Sequence, residues 1–236
     1  MKPYHQIPIQ DCGEPLIAIP FDNFSIESPH PYEKLGAEYG NKSPYCLRQG
    51  VVKALLSAQF TLEKRYPQWK LKIYDAYRPV AVQQFMVNYT YRNLLKSHHL
   101  HEQQLSPQQR QDFWSQVYQL WAAPSLDPKM PPPHSTGAAV DVTIVNDRGA
   151  VLDMGGEIDE LSERSHPDYY VSDRDDHNQQ YQFNRQLLNR VMTNAGFFRH
   201  PGEWWHFSLG DQMWAWQYNQ NLTLGDDRAI ARYGRV

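Results

Sequence analysis

The sequence predicts an α+β fold, a single domain with a central, mostly antiparallel sheet flanked by helices. Helical and strand-like periodicities are interleaved without the regular alternation of a βαβ chain. No segment repeats. A chain of 236 residues, 41% hydrophobic and 13% aromatic, can bury one substantial core, so the expected domain spans residues 1–236.

Residues 1–45 are rich in proline and tyrosine and are expected to wrap irregularly, with short extended pieces. From Leu47 onward Val51, Val52, Leu55 and Leu56 recur at helical spacing, and Pro67 lies beyond the expected end. Residues 71–77, LKIYDAY, read as a strand running into Arg78-Pro79, and 80–95 is again helical. Ser106-Pro107 supplies an N-cap and a first-turn proline for a helix that buries Phe113, Val117, Leu120 and Trp121.

The segment 123–133 carries five prolines and delivers the chain in stiff, extended form to His134. Residues 139–144 then form a strand with Val140, Val142 and Ile144 on one face and Ala139, Asp141 and Thr143 on the other. A last helix over 180–194 uses Phe183, Leu187, Leu188, Val191 and Met192, with Gly196 as its stop. Residues 203–209, EWWHFSL, read as a final strand.

Charge and cysteine content exclude several function classes. The formal net charge is -3, with both signs interspersed and no basic block to follow a phosphate backbone, so no nucleic-acid partner is expected. Cys12 and Cys46 lack metal or redox spacing and are expected to be reduced. The first twenty residues lack a continuous apolar run, and no stretch of 18 apolar residues occurs in the chain. No membrane partner is expected, and the cytoplasm is the expected compartment. There is no G-x-S-x-G elbow, phosphate loop or dinucleotide fingerprint.

Two fragments carry chemistry. His134-Ser-Thr-Gly137-Ala-Ala-Val-Asp141 places an imidazole at the exit of a rigid loop and a carboxylate on a strand, with Gly137 free to turn the backbone between them. Zinc accepts both donor types, and a catalytic site has three protein ligands with a fourth position open. His206 is the best third ligand, because Glu203 three residues earlier supplies the base that such a site needs. On a regular strand positions 203 and 206 face opposite sides; the turn at Pro201-Gly202 lets Glu203 sit at a loop edge instead. Any single histidine of the ten is by roughly five to one an ordinary surface or hydrogen-bonded residue, so the combination matters more than either fragment. His98, His99 and His101 read as surface, and SDRDDHN at 172–178 reads as a loop before a helix, without the glycine and final glutamate of a calcium loop.

Taken together, YDAYRP at 74–79, H-x-x-G-x-A-x-D at 134–141, DMG at 153–155 with Asp159 and ERSH at 163–166, NAGF at 194–197 and EWWHF at 203–207 resemble the D-alanyl-D-alanine dipeptidases. These are zinc peptidases linked to vancomycin resistance and to D-Ala-D-Ala salvage. The resemblance implies one zinc per chain on His134, Asp141 and His206, Glu203 as catalytic base, and Arg78 as stabiliser of the oxyanion. It also implies that Asp159 meets the free amino group of a small dipeptide substrate, hydrolysed by a metal-activated water. The resemblance departs at Pro132, where the resistance enzymes have a serine two residues before the first histidine ligand; proline has neither a hydroxyl nor an N–H. Read without the resemblance, Arg78 is as readily a surface guanidinium and Asp159 a solvated turn residue of the run EIDELSE. The rival activities are a D,D-carboxypeptidase or cell-wall endopeptidase on the same scaffold, and a zinc-containing peptide-binding module without turnover.

Overall fold

The structure, a computed structural model, describes residues 2–223 and 227–236; Met1 and residues 224–226 of the expected span lie outside the described residues. The early chain contains the strands Leu16–Ala18 (β1) and Ser25–Ile26 (β2) and the short helix Pro31–Lys34 (α1). There follow the strand Cys46–Arg48 (β3), the helix Gln49–Arg65 (α2), the strand Lys70–Asp75 (β4), and the helices Val80–Ser97 (α3) and Pro107–Leu120 (α4). The later chain adds the strand Ala139–Val145 (β5), the helix Asp176–Asn194 (α5), the strands Phe198–Arg199 (β6) and His206–Ser208 (β7), and the helix Gln212–Gln220 (α6).

The central sheet has the order β2-β4-β5-β7-β6. Every pairing in it is antiparallel except β2 with β4. Val140, Val142 and Ile144 of β5 join Leu71 and Ile73 of β4 in a core closed by Val51 and Leu55 of α2 and by Leu188 and Met192 of α5. A second apolar cluster joins α3 to α4 through Val82, Met86, Tyr91, Phe113, Val117 and Trp121. Burial of such side chains, about 1.5–3 kcal/mol each, is what fixes the helices on the sheet. The capping box at Ser106 and Gln109 adds about 1 kcal/mol at the start of α4.

Four expectations need correction. Leu47 does not open a helix: it pairs with Ile17 in a two-stranded ribbon, and α2 begins at Gln49. The strand expected over 71–77 ends at Asp75, and the one expected over 203–209 is confined to His206–Ser208. Phe183 is 48% exposed. The inward stripe of α5 passes through Asn184, whose side chain donates to the Asp153 carbonyl at 2.7 Å, so a polar residue takes the position that apolar spacing assigned to Phe183.

Two features prepare the site. In β4, Ile73 lies opposite Val142 on the core face, but a register shift then sets Asp75 opposite Asp141. Cross-strand partners share a face, so this bulge turns Asp75 out of the core and toward the face that bears Asp141. The second feature is Arg48. Its backbone N–H donates to the Gly137 carbonyl at 2.8 Å. Its guanidinium donates to Thr136 O at 2.9 Å, to Asp11 Oδ2 at 2.8 Å and to Gly234 O at 2.9 Å. Gly137, at φ 71°, has room for no side chain, since a Cβ there would lie 2.3 Å from Leu16 Cδ2.

Candidate metal centre and active site

The register of β5 against β7 puts His206 directly opposite Asp141, and the 3-10 turn Pro133–Thr136 brings His134 onto the same face. Pro132 before it has φ -59° and ψ 140°, the polyproline conformation expected of the proline run. His206 Nδ1 lies 3.0 Å from Asp141 Oδ1 and 3.1 Å from His134 Nε2, which is 3.2 Å from Asp141 Oδ2. One donor atom from each of the three residues falls within 4.8 Å of the others. All three are buried.

The surroundings fit a metal. His134 Nδ1–H donates to the Ala76 carbonyl at 2.7 Å, which leaves the Nε2 lone pair facing the centre; such an outer hydrogen bond fixes tautomer and ring together. Ser208 Oγ lies 3.4 Å from His206 Nε2, leaving Nδ1 to face inward. Two neutral imidazoles and one carboxylate make a donor set suited to zinc, with room for a further ligand.

Glu203 stands in the turn before β7, its N–H donating to the His200 carbonyl. Its Oε2 is 3.9 Å from His206 Nδ1 and its Oε1 is 3.6 Å from His200 Nδ1. Burial, reinforced by the charges of Asp141 and Asp159, pushes its pKa well above the usual carboxylate range. A carboxyl group whose pKa is raised holds a proton more readily and can hand it on, which suits general acid–base work. Burial and neighbouring His206 push His200 well down, so that imidazole is neutral.

Arg78 is 3% exposed, which removes the surface reading. Its Nε and Nη2 donate to Asp75 Oδ2 at 2.9 and 2.7 Å, and its Nη1 donates to Gln83 Oε1 at 2.9 Å. Nη2 also reaches Tyr32 Oη at 2.9 Å and Asp141 Oδ2 at 3.3 Å. A guanidinium carries five N–H donors, so these contacts leave one Nη1 hydrogen. Asp75 is held from its other side by His30 Nε2–H at 3.0 Å and the Tyr39 hydroxyl at 3.3 Å.

Asp159 is half-buried at φ 64°, and its Oδ2 accepts from the Tyr32 hydroxyl at 2.8 Å. Burial and the charge of Asp141 push its pKa up to about 7. Behind it, Arg185 donates to the carbonyls of Met154, His166 and Arg164, and Trp204 N–H donates to Ser165 O at 3.0 Å. The ERSH segment is therefore a buttress for the turn that carries Glu203.

Arg78, His134, Asp141, Asp159, Glu203 and His206 thus border one cleft. Asp75, Tyr32, His30 and His200 were missed in the sequence. Asp75 lies inside the YDAYRP stretch, and its charge three residues before Arg78 is the signal that was available. His98, His99 and His101 are exposed, and the Asp175 side chain caps α5 by accepting from His177 N and Asn178 N. Cys12 and Cys46 are free thiols. Among the described residues no helix is long and apolar enough to cross a membrane.

A convergent trio of nitrogen and oxygen donors with a carboxylate beside it, set on a mixed sheet, is the kind of arrangement that metal-dependent hydrolases use. The model of peptidase family M15, described as D-ala-D-ala dipeptidase, matches residues 25–223, and the chain belongs to this family. It is 54% identical to a D-alanyl-D-alanine dipeptidase of Synechocystis sp. over 242 aligned positions, covering 100% of this chain and 97% of that one. A D-alanyl-D-alanine dipeptidase of Escherichia coli is 46% identical over 76 residues, 32% of this chain and 37% of that one. Among solved structures, the vancomycin resistance D,D-pentapeptidase VanY, in complex with Zn(II), aligns with a TM-score of 0.44 at 15% identity, covering 88% of this chain and 95% of that one.

Proposed function

We propose that this chain hydrolyses D-alanyl-D-alanine and related short D,D-dipeptides with one zinc per chain. The observation that carries the reading is the trio His134, Asp141 and His206, with donor atoms within 4.8 Å, beside a carboxylate at 3.9 Å from the His206 ring. Zinc held by His134 Nε2, His206 Nδ1 and the Asp141 carboxylate supplies the Lewis acidity that makes water a nucleophile near neutral pH.

The remaining steps belong to the protein. Glu203 removes a proton from the attacking water and returns it to the leaving amine. The uncommitted Nη1 hydrogen of Arg78 meets the oxyanion that develops at the scissile carbonyl, a contribution of about 3–4 kcal/mol for one well-placed donor. Asp159, oriented by Tyr32, pairs with the substrate ammonium and so favours substrates with a free N-terminus.

The purified protein should contain about one zinc per chain, cleave D-Ala-D-Ala, lose turnover to a chelator and regain it with zinc. Full turnover by metal-free protein would contradict this reading.

A further inference from the structure

The proposed dipeptide substrate is a zwitterion, and the assignment of a second pole in the cleft rests on that dipeptidase reading. Gripping both ends requires a cation for the carboxylate as well as Asp159 for the ammonium.

Two cationic side chains other than histidine line the cleft, Arg78 and Lys2. Arg78 cannot clamp a carboxylate in the usual two-pronged way, because all but one of its N–H groups are taken by Asp75, Gln83, Tyr32 and Asp141. Lys2 is half-buried, and among the described residues its ammonium has no hydrogen-bond or ion-pair partner. Two residues further on, Tyr4 is 6% exposed and lines the same cleft, its hydroxyl likewise without a partner among the described residues.

This stretch is anchored. Pro3–Gln6 forms a 3-10 turn whose His5 N–H donates to the Lys2 carbonyl at 3.1 Å. The Tyr4 and His5 rings meet edge to face at 4.6 Å. Gln212 of α6 donates to the Ile7 carbonyl at 2.7 Å.

The cleft also carries charges of both signs. Asp159 sits with Tyr32 at the Arg78 end, whereas the field of Lys2 falls on His200 and Glu203. Lys2 and Asp159 line the same cleft as Glu203, and among the described residues Lys2 forms no ion pair with either carboxylate, so the cleft holds an acidic and a basic group apart. A zwitterionic dipeptide laid with its ammonium at Asp159 brings its peptide carbonyl to the metal centre and its carboxylate toward Lys2. We propose that Lys2, with the Tyr4 hydroxyl lining the same cleft, forms the subsite for the C-terminal carboxylate of the substrate and sets the preference for a free acid.

The test compares D-Ala-D-Ala with its C-terminal amide in wild type, Lys2→Gln and Lys2→Arg. A charge-assisted hydrogen bond of the usual strength predicts that Lys2→Gln lowers the acid-over-amide ratio of kcat/KM by about 10- to 100-fold, chiefly through KM for the acid. Lys2→Arg should retain most of the preference. A Lys2→Gln variant whose ratio matches wild type, whether its rates are intact or equally reduced on both substrates, overturns the assignment and leaves the dipeptidase reading in place. Wild-type protein that cleaves neither compound overturns both.

Discussion

Replacing Asp75 by asparagine keeps the shape of a side chain that holds Arg78 and removes its charge. Asp75 is 0% exposed and accepts four hydrogen bonds, from Arg78 Nε and Nη2 on one oxygen and from His30 and Tyr39 on the other. An amide has a single acceptor oxygen, so in either orientation its NH₂ faces donors. Removing one member of a buried ion pair costs about 3–5 kcal/mol. Asp141, 3.3 Å from Arg78 Nη2, still compensates the guanidinium in part, so the lower end, about 3 kcal/mol, is expected. For a chain of this length each kcal/mol moves Tm by about 2–4 °C, which gives a drop of about 6–12 °C. The pH dependence has a definite sign. Although burial opposes it, the Arg78 charge and the His30 hydrogen bond hold the Asp75 carboxyl below its ordinary value of 3.8. Its stabilisation is therefore complete above pH 3.8 and lost as the pH falls below it. Asp75→Asn should remove that acid limb. Thermal unfolding at neutral and acid pH, together with kcat on D-Ala-D-Ala, measures both effects. A Tm within about 2 °C of wild type and an unchanged kcat would refute the argument that Asp75 holds Arg78 for the reaction.

Glu203→Gln should keep zinc at about one per chain while kcat falls about 100- to 10,000-fold, the usual contribution of a positioned base; metal analysis beside steady-state kinetics checks this, and wild-type turnover would remove Glu203 from its role. For Asp159, whose carboxyl is pushed up to about 7 by burial and by Asp141, the ammonium is bound by the ionised form. Below about pH 7, kcat/KM should therefore fall. Asp159→Asn should flatten that limb and erase the preference for D-Ala-D-Ala over its N-acetyl derivative, whereas an unchanged profile and preference would exclude Asp159 from substrate binding.

The donor trio was legible because each member stands next to a strong local signal: the proline run and Gly137 before Asp141, and the Pro201-Gly202 turn before Glu203 and His206. Helices marked by apolar spacing and a cap, such as α4, were legible for the same reason. What escaped depends on pairings between distant segments. Asp75 follows Leu71 and Ile73 at strand spacing and reads as a misplaced polar residue of the core face, until the bulge between Ile73 and Asp75 turns it outward. Leu47 continues the apolar pattern of α2 but is claimed by β1 through the register with Ile17. Tyr32 and His30 lie in the proline- and tyrosine-rich stretch, where no periodicity marks a buried polar residue.

The Arg48 rivet bears on the order in which the molecule assembles. Arg48 reaches Gly234 across 186 positions, Gly234 N–H reaches Asp11 Oδ2 across 223, and the Tyr233 hydroxyl reaches Glu14 across 219. Val236 N–H donates to the Ser135 carbonyl at 3.1 Å, next to the first histidine of the donor trio. Contacts this remote in sequence close slowly, because chain entropy must be spent before they stabilise anything. The sheet and Arg48 can bring Asp141, His206 and the His134 turn together first, and the turn gains its last clamp, Val236 N–H on Ser135 O, when residues 11–14 and 233–236 have met around Arg48. If the trio holds the proposed zinc, the rate at which refolding chains acquire it should follow the meeting of those two remote segments more than the formation of the sheet.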